Sequence, residues 1–205
     1  MAEWFAEGLL ERLGDAADPV ACEVLRAARF HVVPNMNPDG SALGNLRTNA
    51  RGVDLNRAWV NASMDSSPEV FLVREAIRAS GAAIFLDVHG DEALPYVFLD
   101  SSEAQPYFTA AHQERELRFT GILRDLSPDF QTVHGYPAVP FRPEMLAMAS
   151  QWVADRFHCL SFTVEMPFKD NANLPDPAVG WNGARSKCLG AAMVGAIHRT
   201  LVPQS

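Results

Sequence analysis

Three stretches of this chain gather residue types that do chemistry. Arg47, Arg51, Asp54, Asn56 and Arg57 follow an Asn37-Pro38-Asp39-Gly40 run; further along stand Asp87-Val88-His89 and Glu165-Met166-Pro167. A guanidinium offers a carboxylate a planar fork of donors, so the first stretch is suited to holding an anion. The histidine is a potential zinc ligand. A glutamate that closes an apolar run is a buried carboxylate, which is costly unless it is paired. Each also has a plainer reading: Asn-Pro-Asp-Gly is a turn signal, a lone histidine is usually structural, and a buried glutamate can pair with a base. The signal lies in convergence, because all three stretches follow runs that read as strands.

Those runs are residues 30–33, stopped by Pro34; residues 82–89, read as a strand buried on both faces; and residues 159–165. Residues 95–99 read as a further short strand. Helical periodicity covers residues 1–13, with Phe5, Leu9 and Leu13 on one face and Gly14 as a left-handed cap, and residues 19–28. A helix then starts at Ser66 or Ser67 with Pro68 in its first turn and stops at Gly81; others span 105–119, 143–157 and 186–201. Residues 34–67 show little periodicity, and a loop of that length is usually functional. The alternation predicts an α/β fold with a mixed, mostly parallel twisted sheet flanked by helices. In such sheets ligands sit beyond the carboxyl ends of the strands, where the three stretches fall.

The 205 residues suit one domain, 48 % hydrophobic and 20 % charged, with a net charge of −8. That charge and the lack of a basic stripe argue against a nucleic-acid partner. No apolar run is long enough to cross a bilayer, and Glu3 stands where a signal peptide carries base. Three widely spaced cysteines suit neither a disulfide framework nor a metal knuckle, and a reducing cytoplasm is the expected location.

Three motifs, Asn37-Pro38-Asp39-Gly40, Gly44-Asn45-Leu46-Arg47-Thr48-Asn49 and Gly52-Val53-Asp54-Leu55-Asn56-Arg57-Ala58-Trp59, resemble in order and spacing the zinc metallocarboxypeptidases of the carboxypeptidase A superfamily. Asp87-Val88-His89-Gly90 and Phe162-Thr163-Val164-Glu165-Met166-Pro167-Phe168 look like the cytosolic carboxypeptidase branch and its bacterial relatives. The resemblance implies that His89 is the last zinc ligand and that Glu165 moves protons between zinc-bound water and the leaving amine. It implies that Asn56 and Arg57 hold the terminal carboxylate of a peptide or protein substrate, and that Arg47 polarises the scissile carbonyl, with Arg51 as the alternative. Asp54 matches a carboxylate that orients another zinc histidine, and Tyr136 lies in the stretch expected to supply a capping tyrosine. The branch implies acidic C-terminal residues as substrates, for which Arg142, Lys169 and Arg185 are candidates by charge alone.

One departure stands out. The family's other two zinc ligands come from a His-x-x-Glu motif, and none occurs in this chain. One zinc ion is expected for the intact family site, but a single histidine is not expected to retain it. The expectation is that residues 1–205 are an N-terminally truncated catalytic domain, inactive alone. Two other readings compete: an aspartoacylase-like zinc amidohydrolase, which shares Asp-Leu-Asn-Arg, and a metal-free module that binds peptide C-termini.

Overall fold

The computed structural model describes residues 1–202. Helix α1 spans Ala2–Leu13 and buries Phe5, Leu9 and Leu13, as their spacing predicts. Gly14 ends it at φ −81°, so the left-handed cap expected there is not used; its N–H bonds to Leu10 in an ordinary continuing turn. Helix α2, Pro19–Ala27, is capped by Asp18, whose carboxylate accepts from the N–H groups of Val20 and Ala21.

The expected strand at residues 30–33 is absent. Val32 and Val33 are 38 % and 51 % exposed with no neighbouring strand among the described residues, and a ladder needs a partner whatever the propensity. The 34–67 segment contains order of its own. Asn37 accepts the Gly40 N–H at 3.0 Å to cap helix α3, Pro38–Leu43, and Leu55–Arg57 forms a 3₁₀ turn. Helix α4, Pro68–Ser80, ends at Gly81, where φ is +71°.

Strands β1 (Ile84–Val88), β2 (Phe98–Asp100) and β3 (Leu160–Glu165) form one mixed sheet in the order β1-β3-β2. β1 and β3 run parallel, with Ile84 opposite Leu160 and Val88 opposite Val164; β2 is antiparallel to β3, with Phe98 opposite Glu165. Only β3 is buried nearly throughout. Among the described residues β1 has a single neighbour and is partly rather than fully buried, with Ile84, Leu86 and Val88 packed against one core and Phe85 against another, so both faces are covered but less completely than the apolar run predicts.

Two helices depart furthest from their sequence-based limits. Helix α5 is Ala110–Leu126, because Gln105 is drawn out of it into a buried hydrogen bond with Gln151 at 2.8 Å. The helix expected over 143–157 is a 3₁₀ turn, Pro143–Ala147, and helix α6, Ala149–Phe157, separated by an extended Met148. Asn56 Oδ1 accepts the Ala149 N–H at 2.8 Å, doing for α6 what Met148 cannot. Helix α7, Gly183–Leu201, is capped by Asn182.

One core lies between the sheet, α1, α5 and α7, with Phe119 stacked on Phe162 at 5.3 Å. α1 and α7 approach closely at glycines: a Cβ on Gly190 would overlap the Phe5 carbonyl, and one on Gly8 the backbone of Lys187. A second core packs Trp59 against Trp152 at 5.8 Å, with Leu55, Val70 and Val153. Arg74 lies over the Trp152 ring and donates to the Trp59 carbonyl at 2.7 Å, which pins the chain just after Asn56 and Arg57.

Candidate active site

Parallel pairing brings the ends of β1 and β3 out at one edge. The ladder continues past both strands: His89 N–H donates to the Val164 carbonyl and Asp91 N–H to that of Met166, each at 2.8 Å. Side chains alternate faces along a strand, so Asp87 and His89 share a face with Thr163 and Glu165. The backbone thereby sets the two residues singled out in sequence beside each other.

Glu165 is 5 % exposed. Its Oε1 accepts from the Tyr136 hydroxyl at 3.0 Å, while Oε2 is enclosed without a protein partner. Burial pushes its pKa up to about 7, helped by the negative charges of Asp91 and Asp100 and opposed by His89 and the Tyr136 bond. A carboxyl group poised near neutrality both takes and returns a proton readily.

His89 Nε2 lies 2.9 Å from Asp87 Oδ2. Burial works against the charged ring, but Asp87 and, further off, Glu165 outweigh it and hold the pKa above the ordinary value; Arg47 opposes them. With Nε2 facing a carboxylate, Nδ1 is left for a ligand, the usual arrangement of a metal-binding histidine.

The anion-binding candidates sit on a loop knitted by asparagines. Asn37 and Asn45 donate to the Thr48 carbonyl, each at 3.0 Å, and the buried Asn49 accepts from Arg51 and Val53 N–H and donates to the Ser66 carbonyl. Arg47 is half-exposed, its Nε 3.9 Å from Asp54 Oδ2, and its charge is the arginine charge felt at His89. Asp54 itself accepts the Asn56 N–H at 3.0 Å. Arg57 is exposed and donates to the Asn56 carbonyl at 2.7 Å. The Asn56 side-chain oxygen serves α6, so a ligand would meet its nitrogen. Of the three cations considered for side-chain recognition, Arg142 and Lys169 are exposed, whereas Arg185 is engaged by Asp129 and Asp170.

The donor set does not fit a catalytic zinc. Among the described residues no three His, Cys, Asp or Glu side chains converge as a metal requires, and His89 is the one donor placed for the task. Two contributors escaped the sequence reading in role. Asp87 was visible beside His89 but without a function, and Asp91 falls in a turn that no periodicity marks. Tyr136 is marked in sequence by its stretch alone, and its hydroxyl donates toward both Glu165 and Asp91.

A near-neutral buried carboxyl group and a histidine thus share one sheet edge, near enough to Arg47 for its charge to be felt at His89. The chain belongs to the zinc carboxypeptidase family, which residues 1–179 match. A metallo-carboxypeptidase from Burkholderia cenocepacia is 54 % identical and superposes with a TM-score of 0.93, covering 97 % of this chain and 53 % of that one. One from Pseudomonas aeruginosa, solved in complex with (2-guanidinoethylmercapto)succinic acid, is 46 % identical with a TM-score of 0.91, over 96 % of this chain and 52 % of its own. Cytosolic carboxypeptidase 6 of Caenorhabditis elegans is 26 % identical over 78 % of this chain and 36 % of that protein. The chain thus spans about half the length, or less, of these relatives.

Proposed function

We propose that this chain carries the proton-transfer and substrate-binding half of a zinc carboxypeptidase site that removes the last residue of a peptide or protein. The observation that carries this reading is Glu165, a buried carboxyl group with its pKa raised to about 7 at the edge where His89 emerges. In this reading Glu165 takes the proton from the attacking water and returns it to the leaving amine. Arg47 offers positive charge to the carbonyl oxygen as it becomes an oxyanion. Arg57 and the Asn56 amide hold the terminal carboxylate, which restricts cleavage to chain ends. Asp54 steadies the turn that presents them. His89 is the residue that would ligate zinc, with Asp87 orienting its ring, and among the described residues no further donors complete a metal site beside it.

Residues 1–205 are on this reading a partial catalytic domain, inactive in hydrolysis alone, and cytoplasmic like the relatives named for that compartment. Acidic C-terminal residues are the proposed substrates. The succinic acid moiety bound by the Pseudomonas relative is in keeping with a carboxylate-holding pair. Calorimetric titration tests the proposal with a peptide ending in glutamate, its amidated form, and the Arg57→Ala variant. Binding of the free acid alone, lost in the variant, supports it; equal binding of the amide sinks it. Mass spectrometry of the same peptide with the chain and added zinc should show no released residue, and release would overturn the inactivity.

A further inference from the structure

Asp91 lies two residues beyond His89, is 6 % exposed, and uses every polar group it has. Its Oδ1 accepts the N–H groups of Ala93 at 2.5 Å and Leu94 at 2.7 Å, closing the bend after β1. Its N–H donates to Met166 and its carbonyl accepts from Phe168 N–H at 3.2 Å, so the bend is riveted to the chain just after Glu165. Its Oδ2 accepts the Tyr136 hydroxyl.

Tyr136 belongs to a segment, residues 132–140, in which every residue is exposed. The start of that segment is tied down by Gln131, which bonds the backbone of Val133 and His134, and by His134 stacked on Tyr96 at 4.2 Å. Beyond them the inward anchors at Tyr136 are its hydroxyl and an edge contact with Phe98 at 5.0 Å. A phenol has one proton to give, and two carboxylates lie within its reach. Asp91 is the closer and is immobilised by its own turn, whereas Glu165 meets the phenol from the end of a longer side chain.

We propose that Asp91 is a positioning residue for the site: one carboxylate oxygen sets the bend after His89, and the other holds the Tyr136 hydroxyl against Glu165. This rests on the reading of Glu165 as the proton-transfer group, but its tests involve neither hydrolysis nor zinc, so they fail or succeed separately from that reading. Asp91→Asn keeps an oxygen for the turn amides and replaces the phenol's acceptor with an amide nitrogen, which separates the two roles.

The first test is nitration of the three tyrosines by tetranitromethane in chelator, followed peptide by peptide in the mass spectrometer. The reagent attacks the phenolate, and Tyr136 holds its proton more tightly than an ordinary tyrosine through burial, the Asp91 bond and the neighbouring carboxylates. Asp91→Asn should speed nitration of Tyr136 about tenfold or more, the effect of about one pKa unit, while Tyr96 and Tyr107 keep their rates. An unchanged Tyr136 rate overturns the proposal. Should the variant unfold and all three rates rise, the decision passes to the phenolic proton resonance, assigned by its loss in Tyr136→Phe. If Asp91 holds that proton the resonance persists in Glu165→Gln; its disappearance there would show Glu165 to be the anchor and overturn the proposal.

Discussion

Replacing Glu165 with glutamine removes a carboxyl group whose pKa lies well above that of an unfolded chain, and the consequence is a change in how stability varies with pH. A folded-state pKa raised from 4.5 to about 7 means that the native chain binds more protons than the unfolded one between those values. Stability therefore falls as pH rises through that window. At about 1.4 kcal/mol for each pH unit a pKa moves, the Glu165 contribution is about 3 kcal/mol, of which about 2 to 2.5 kcal/mol falls between pH 5 and pH 8. Asp100, raised to about 6, and Glu116, raised to about 7, act in the same direction, in both cases chiefly through burial. His89 adds to it, since a raised histidine pKa is stabilising below the unfolded value and that stability is lost as pH climbs through the folded one. The unchanged chain should thus be markedly more stable at pH 5 than at pH 8. In Glu165→Gln that difference should shrink by about 2 kcal/mol. Urea unfolding followed by tryptophan fluorescence in chelator, at both pH values for both proteins, measures it. Glutamine brings a buried N–H₂ group whose cost is the same at either pH, so the difference between pH values is the quantity to read. An identical pH difference in the two proteins would refute the argument that burial, rather than compensation by neighbours, governs Glu165.

Other perturbations probe the frame around the site. Gly190→Ala, which drives a methyl group into the Phe5 carbonyl, should cost about 1–3 kcal/mol by thermal unfolding, whereas Gly121→Ala in α5, with open space around its Cβ, should stabilise by about 0.5 kcal/mol. Arg185→Ala leaves the buried Asp129 without its ion pair and should lower stability by roughly 2–4 kcal/mol in denaturant melts. Asn56→Ala removes the cap from α6 and should cost about 1 kcal/mol, with loss of C-terminal peptide binding in the same preparation. Zinc titration should show no stoichiometric uptake at micromolar metal, and His89→Ala should change that little.

The parts of this architecture visible in sequence were those with strong local determinants. Phe5, Leu9 and Leu13 at helical spacing, Pro68 and Gly81 bounding α4, and the apolar run into Glu165 each carry their structure in a few neighbouring residues. Residues 30–33 failed because β propensity is realised only against a partner strand, which no local pattern reveals. The break at Met148 was invisible for a related reason: the group that caps α6 is Asn56, 93 residues earlier. At the site, Arg47, Asn56, Arg57, His89 and Glu165 stand in motifs that the sequence displays, whereas nothing in the sequence singles out Asp91. Its importance comes from the meeting of a turn amide pair, a tyrosine 45 residues away and the chain beyond β3.

The two halves of the site are held by different means, and a short relay joins them. His89 and Glu165 are fixed by a parallel ladder whose hydrogen bonds belong to the backbone, so side-chain substitutions at this edge leave their spacing largely intact. Asn56 and Arg57 hang from a loop shaped by asparagine side chains, of which Asn37 and Asn45 converge on the Thr48 carbonyl while Asn49 ties the loop to Ser66. The connection runs through the start of α6. Asn56 caps Ala149, the neighbouring Ser150 hydroxyl bonds Thr163 at 2.9 Å, and the Ser150 carbonyl accepts from Ser161 at 2.7 Å. Thr163 lies two residues before Glu165 on the same face of β3. The distance from the proposed carboxylate-holding pair to the proposed base is therefore set by three hydrogen bonds at one helix terminus, and the second core, with Trp59 and Trp152 beneath it, keeps that terminus from drifting.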